Sequence, residues 1–428
     1  MTSSMHTRVR LDSYIALFAL AGSACAIGEG DPDDLSTAED AVFFCRRAPR
    51  GWHAIATYAP SSGTDPQFSS GIADAVWSGR EAFLLGSMRY TSGCPTPVCE
   101  RNEAAAYDPS TDTWRTLASP YPVAVRDGLL SRWTGASWIV FGTFFDETTG
   151  HVGMDGRRYA PATDTWSDIP EIPVAGIYGA AVEWSPATQE LVVFGGVVTE
   201  GAEDPYAATN ETWVWSLATN TWRQVASSPL SPRMLSHAAW DGRRIVFAWG
   251  RPYEPGNEGV HSIPGTAAYD PESETWTALP EPPVEDRMAF AARRIAPARA
   301  VFWGGHPALG DGDLWPTLHD GAAWNRVTRR WQTITDPGLP GPYRRGFATW
   351  SDNGRLFVWG GENFDENGLV RYVDGASWRY AGSAWQALPD APESRSDAVA
   401  VWTGCDAIVY GGYTAVLETN NGGMMLRP

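Results

Sequence analysis

Tyr107-Asp108-Pro109-Ser110-Thr111-Asp112-Thr113-Trp114 pairs two aromatic residues across a run of turn formers, and Leu117 follows the tryptophan three residues on. Asp followed by Pro favours a tight turn, and the flanks read as short strands, so the segment is a hairpin ending in tryptophan. The ending recurs: Trp166 with Ile169, Trp222 with Val225, Trp276 with Leu279, Trp331 with Ile334 and Trp385 with Leu388, at intervals of 52, 56, 54, 55 and 54 residues. Seven residues before each tryptophan stands a second aromatic: Tyr107, Tyr159, Trp215, Tyr269, Trp324 and Trp378.

Upstream of the hairpins lies an apolar strand that closes in glycine. Val192-Val193-Phe194-Gly195-Gly196, Val301-Phe302-Trp303-Gly304-Gly305, Phe357-Val358-Trp359-Gly360-Gly361 and Ile408-Val409-Tyr410-Gly411-Gly412 are the strong copies, and weaker ones end at Gly86, Gly142 and Gly250. Paired glycines permit positive φ or a close backbone approach that a side chain would block. Another strand precedes each, across a turn such as Trp240-Asp241-Gly242-Arg243. Four strands per unit of about 50 residues is a propeller-blade period.

The order Arg, apolar strand with Gly-Gly, Tyr-Asp-Pro, Trp resembles the Kelch repeat, and the resemblance covers nearly all of the chain from Cys45 to Pro428. It implies an all-β fold, a seven-bladed Kelch-type β-propeller. The seventh unit has strands at Arg395 to Trp402 and Ala407 to Gly412, with a third at Gly423 to Arg427, but no outer tryptophan strand. Gly51-Trp52-His53-Ala54-Ile55 supplies the missing pattern, so an N-terminal outer strand is expected to close the last blade and leave no open edge there.

Composition agrees with many short strands: Trp 22, Gly 44 and Pro 32 in 428 residues. The net charge of −18 argues against a nucleic-acid partner, because phosphate binding draws on clustered cations. Arg8 and Arg10 precede an apolar run from Tyr14 to Ala21 and the small residues Gly22, Ser23 and Ala24, which reads as a signal peptide over residues 1–25. The run is too short to span a membrane. Residues 26–44 read as an acidic flexible tether and 45–428 as the propeller. Cys25 resembles the lipidated cysteine of a bacterial lipoprotein, although Gly22 stands where such signals usually carry Leu; ordinary cleavage after Ala24 or Ala26 is the other reading. The expected location is extracytoplasmic, in the periplasm, at the cell surface or secreted, with any membrane contact through a lipid anchor.

Cys45 just before the N-terminal strand and Cys405 in a turn of the last blade fall on one face of the ring, so they are expected to form a disulfide. In the chain-entropy model such a bond contributes about 4–5 kcal/mol. Cys94 and Cys99 are expected to pair locally.

Arginine recurs at the start of the inner strands: Arg126, Arg233, Arg287, Arg344 or Arg345, and Arg395, with Ser70 and Tyr178 near the corresponding places in the first and third units. In Kelch proteins these positions lie near one mouth of the central channel, so the resemblance implies a place for a carboxylate or carboxylated sugar; pairing with neighbouring carbonyls and carboxylates is the alternative. Connections between second and third strands vary in length and are acidic, carrying Asp146, Glu147, Glu200, Glu203, Asp204, Glu254, Glu258, Asp311, Asp313, Asp365 and Glu366. His151, His261, His306 and His319 lie in or beside them without the close spacing of a metal site. No nucleophile elbow, phosphate loop or zinc motif appears. The expectation is an exported monomeric, non-catalytic propeller, without cofactor or metal, that binds a protein or glycan through this loop-bearing face. The alternative is a carbohydrate-active enzyme of the oxidase or sugar-mutarotase type at the channel mouth.

Overall fold

The computed structural model describes residues 50–58, 67–89, 100–118, 120, 127–146, 151–174, 176–199, 206–253, 261–288, 291–307, 317–338, 344–352, 354–364, 370–373, 375–382, 384–414 and 422–428. The expected signal peptide and tether, Cys25, Cys45, Cys94, Cys99 and Arg126 lie outside them. All regular structure among the described residues is β-strand, in seven four-stranded antiparallel sheets and two smaller ribbons.

Each sheet is one blade. Blade one is Gln67–Trp77, Ala82–Arg89, Glu100–Asp108 and Thr113–Leu117; blade two is Asp127–Trp133, Trp138–Asp146, His151–Ala160 and Thr165–Ile169. Blade three is Ala181–Ser185, Glu190–Phe194, Thr212–Ser216 and Thr221–Val225, and blade four is His237–Trp240, Ile245–Ala248, Thr266–Asp270 and Thr275–Ala278. Blade five is Ala291–Ala296, Arg299–Trp303, Gly321–Asn325 and Arg330–Ile334, and blade six is Ala348–Asp352, Arg355–Trp359, Ser377–Tyr380 and Trp385–Leu388. Blade seven takes Val399–Trp402, Ala407–Tyr410 and Gly423–Arg427 from one end of the chain and Gly51–Ile55 from the other, with Gly51 opposite Arg427 and Ile55 opposite Gly423. The ring therefore closes as the sequence implies.

The repeated tryptophans explain why blades stack in a circle. Their rings lie against the preceding sheet of the ring: Trp222 on Phe141, Trp276 on Phe194, Trp385 on Trp303, Trp52 on Trp359 and Trp114 on Tyr410, at centroid distances of 4.7 to 5.6 Å. Every outer-strand indole also donates its Nε1 hydrogen to a carbonyl just beyond the outer strand of the preceding blade. The pairs are Trp114 to Ala56, Trp166 to Ala118, Trp222 to Pro170, Trp276 to Ala226, Trp331 to Pro280, Trp385 to Thr335 and Trp52 to Pro389. These indole bonds run unbroken around the ring.

The glycine pairs end the second strands in left-handed backbone. Gly195 and Gly196 take φ of 70° and 96°, and a Cβ on Gly195 would lie 2.6 Å from the Arg233 carbonyl oxygen. In blade four Trp249, at φ 50°, takes the place of the first glycine, which is why that copy is weak in sequence. Blades one and two are weak for another reason: Gly86 and Gly142 sit inside strands that run on as long hairpins, to Arg89 opposite Glu100 and Asp146 opposite His151. Blade six also departs from the sequence pattern. Its outer turn is shorter, so Tyr380, and not Trp378, stands opposite Trp385.

Cys405 is buried, and every other cysteine of the chain lies outside the described residues. Among the described residues no helix is long and apolar enough to cross a membrane.

Candidate functional site

The two faces of the ring differ. On the turn face, connections within a blade never exceed four residues. The other, the loop face, carries all structure beyond the blades: the long hairpins of blades one and two, a ribbon of Val197–Thr199 with Tyr206–Ala208, and a three-stranded ribbon of Arg344–Arg345, Glu362–Phe364 and Val370–Val373. The connections from Phe194 to Thr212, Ala248 to Thr266, Trp303 to Gly321 and Trp359 to Ser377 are of equal length. In blades three to six, then, the expected variation lies in chemistry and ribbon formation rather than in length. Of the acidic loop residues, only the backbone of Asp146, opposite His151 at the end of its hairpin, lies within the described residues.

The arginines expected at a basic channel mouth do something else. Arg233, Arg287 and Arg395 are at most 2% exposed. Arg233 Nη1 donates to the carbonyls of Trp249 (3.2 Å) and Pro264 (3.0 Å), Arg287 Nη1 to those of Gly304 (3.2 Å) and Asp320 (2.9 Å), and Arg395 Nη1 to those of Gly411 (3.1 Å) and Gly422 (2.6 Å). Each guanidinium thus ties the glycine turn of its blade to the start of the third strand, satisfying carbonyls that burial would otherwise strand. Burial lowers the pKa of Arg233 to about 10 and that of Arg287 as well. Arg287 also pairs with the Asp320 carboxylate and Arg395 with that of Glu393, so in these three the alternative of pairing with neighbouring carbonyls and carboxylates is what the structure shows, in place of an open anion-binding ring. Blade three uses buried Ile177 at this place, next to Tyr178, whose backbone bridges to Val197. Arg344 and Arg345 pair through their backbone with Asn363 and Glu362.

The histidines do not converge. His151 Nε2 lies 2.6 Å from Glu171 Oε1, with the Phe144 ring edge-on to the imidazole at 5.4 Å. Gly153 makes room for this pair, since a Cβ there would collide with Glu171 and Phe144. His306 is buried and pairs through its backbone with Met288, His261 is exposed, and His319 bonds Thr317 Oγ1 with Asp336 3.9 Å away. Among the described residues no three His, Cys, Asp or Glu side chains gather as a metal site.

Sequence reasoning missed charge on the innermost strands. Arg132 of blade two grips Glu183 of blade three through two hydrogen bonds of 2.9 and 3.2 Å, and Glu183 is nearly buried. His237 of blade four is held well below the usual imidazole range, at about 4, by burial and then by Arg293 of blade five. Each differs from its counterparts in other blades, so no repeat marks them.

No protein-family profile matches the chain. It is 28% identical over 221 residues to the "Kelch-like protein terF" of Aspergillus terreus, a match covering 50% of this chain and 46% of that protein. The chain thus spans about half the length of the curated relative it matches. The solved "Structure of YjhT" superposes with a TM-score of 0.50 at 14% identity, covering 72% of this chain and 96% of that one, a likeness of fold alone. Seven tryptophan-latched blades and the glycine-ended second strands make this chain a seven-bladed β-propeller, similar in half its length to a Kelch-like protein.

Proposed function

We propose that the chain is a binding propeller whose loop face holds a protein or glycan partner. One observation carries this reading: every hairpin extension and ribbon added to the seven blades projects from that face, while the turn face keeps minimal connections. Recognition elements concentrate on such loops, where a rigid scaffold holds them without sharing their sequence constraints. The hairpin of blade two, with His151, Glu171 and Phe144, offers hydrogen-bonding groups beside an aromatic face, a combination suited to a polar partner with some apolar surface.

In the same reading the protein acts outside the cytoplasm, after cleavage or lipidation at Cys25. The partner of Cys405 is Cys45, five residues before Arg50, where the first strand enters blade seven, and Cys94 pairs with Cys99 in the hairpin of blade one. The test is a pull-down from envelope extract and from a glycan pool. It compares the wild-type chain with a His151→Ala/Glu171→Ala variant and with one whose loop-face carboxylates are changed to amides. Retention should fall at least about tenfold in one or both, a loss of about 1.4 kcal/mol or more. Retention unchanged in both would refute the assignment of the face.

A further inference from the structure

The chain contains no lysine, so all 32 of its basic side chains are arginine, in a protein of net charge −18. Over blades one to four most turn-face arginines are balanced: Arg115 lies between Glu81 and Asp164, and Arg223 between Glu190 and Glu274, although Arg158 of blade two bonds only Ser167. Blades five and six gather more such arginines. Among the described residues Arg299, Arg329, Arg330 and Arg379 have no carboxylate within ion-pair distance. Arg299, Asn325 and Arg330 stand in one row of three adjacent strands, so their side chains leave the same side of the sheet. Arg299 Nη2 bonds Gln332 at 2.7 Å and Arg379 bonds Gln386, both neutral amides, and the Nε atoms of both arginines are buried without a hydrogen-bond partner. Arg329 and Arg330 are exposed. The carboxylates nearby are already engaged, Asp241 by Arg244 and Arg326 and Asp352 by Arg355, with Arg379 acting on Asp352 only at longer range. In the same turn as Arg329, Val327 is 73% exposed, the one large hydrophobic residue so exposed among those described.

The N-terminal strand begins on this face. Gly51 stands opposite Arg427, whose guanidinium is held by Asp406 of the turn before Ala407, and the neighbouring Trp52 ring touches Trp359 of blade six. Chain leaving Arg50 therefore starts beside blade six. Between Asp40 and Cys45, which the proposed bond to Cys405 would hold at the turn face of blade seven, stand residues 41–44, enough to reach about 13 Å when extended. Before them, Glu29 to Asp40 carries Glu29, Asp31, Asp33, Asp34, Glu39 and Asp40, no basic residue, and Leu35 in its middle.

We propose that the turn face of blades five and six is a docking surface for the chain's own segment Glu29 to Asp40, its carboxylates meeting Arg299, Arg329, Arg330 and Arg379 and Leu35 covering Val327. Arginine forks suit carboxylates in pairs, and an Arg-ringed apolar residue fits an acidic segment with one aliphatic side chain. Attachment nearby gives the segment an effective concentration on the order of millimolar, so weak exposed ion pairs suffice in cis where they would not for a free peptide. The surface is separate from the loop face and independent of what that face binds.

Photo-crosslinking tests this in the full chain, with p-benzoylphenylalanine replacing Leu35. Crosslinks should fall within residues 325–332 and 377–386. They should drop at least about fivefold in roughly 0.5 M salt, which shortens the Debye length, and equally in an Arg299→Gln/Arg329→Gln/Arg330→Gln variant that keeps the wild-type melting temperature. Crosslinks on the loop face, spread evenly, or indifferent to the triple substitution would overturn the proposal. So would an intact mass showing that the mature protein lacks residues 29–40. A further overturning result is loss of binding to phosphatidylglycerol vesicles in the triple variant with an unchanged crosslink pattern, which would make an anionic membrane surface the occupant.

Discussion

Replacing Trp52 by alanine tests whether the ring is held shut by the same latch at its seam as elsewhere. Trp52 is half-buried, its Nε1 donates to the Pro389 carbonyl at 2.9 Å, and its ring lies 5.6 Å from that of Trp359. A net hydrogen bond contributes about 1 kcal/mol. Truncating a fully buried tryptophan costs about 3–5 kcal/mol, so a half-buried one that also loses its bond should cost about 2–3 kcal/mol. Trp52→Phe, which keeps a ring and loses the donor, should cost about 1 kcal/mol. The control is Trp276, which makes the same contacts in blade four, donating to Ala226 at 3.0 Å and packing on Phe194. Urea unfolding should give equal losses for Trp52→Ala and Trp276→Ala with an unchanged m-value, and the melting temperature should fall by about 3–4 °C. If Trp52→Ala stays within about 0.5 kcal/mol of wild type while Trp276→Ala does not, the terminal strand is dispensable and the closure reasoning fails.

His237 should make stability fall with acid. Its folded pKa of about 4 lies below the ordinary 6.5, so between those values the unfolded chain binds the proton and the native state does not. Stability from this site is complete above pH 6.5 and declines toward pH 4, by on the order of 2–3 kcal/mol, and a His237→Gln variant should lack that part of the decline in urea titrations. Arg132→Ala leaves Glu183 nearly buried and unpaired and should cost about 3–5 kcal/mol, whereas the double variant Arg132→Met/Glu183→Leu should recover most of it; a double variant as unstable as the single would refute the pairing. Cys45→Ser and Cys405→Ser should each lower the melting temperature as reduction does, and reduction should have no further effect on either variant at that bond, by calorimetry with and without reductant. Arg287→Met should destabilise through its orphaned carbonyls, measured as a lower urea midpoint, and leave the retention of a carboxylated glycan pool unchanged.

Much of the fold was legible because packing between blades repeats. An indole that must cover its neighbour and reach a carbonyl there recurs seven times, and each copy writes the same letter at the same interval. Where the backbone can meet the need differently, the signal fades. Trp249 accepts left-handed backbone in place of glycine, the long hairpins of blades one and two need no reversal at Gly86 or Gly142, and the shorter turn of blade six moves the paired aromatic to Tyr380. The recurrent arginines were visible, as were both uses open to them: recurrence marks a structural tie to carbonyls as readily as a ligand ring, and only burial distinguishes the two. Arg132, Glu183, His237 and Arg293 were invisible, because pairing across inner strands joins residues with no fixed separation in the chain.

Sharing the seventh sheet between distant parts of the chain also sets a clock. Gly51–Ile55 leaves the ribosome among the first propeller residues, and its partner Gly423–Arg427 is made about 370 residues later, a wait of roughly twenty seconds to over a minute at ordinary elongation speeds. Throughout that interval a nascent strand has unpaired amides and carbonyls on offer, and any earlier sheet edge is a wrong destination for it. Its brevity and its glycine start make it a poor competitor for such edges, which keeps it available for the last-made strand.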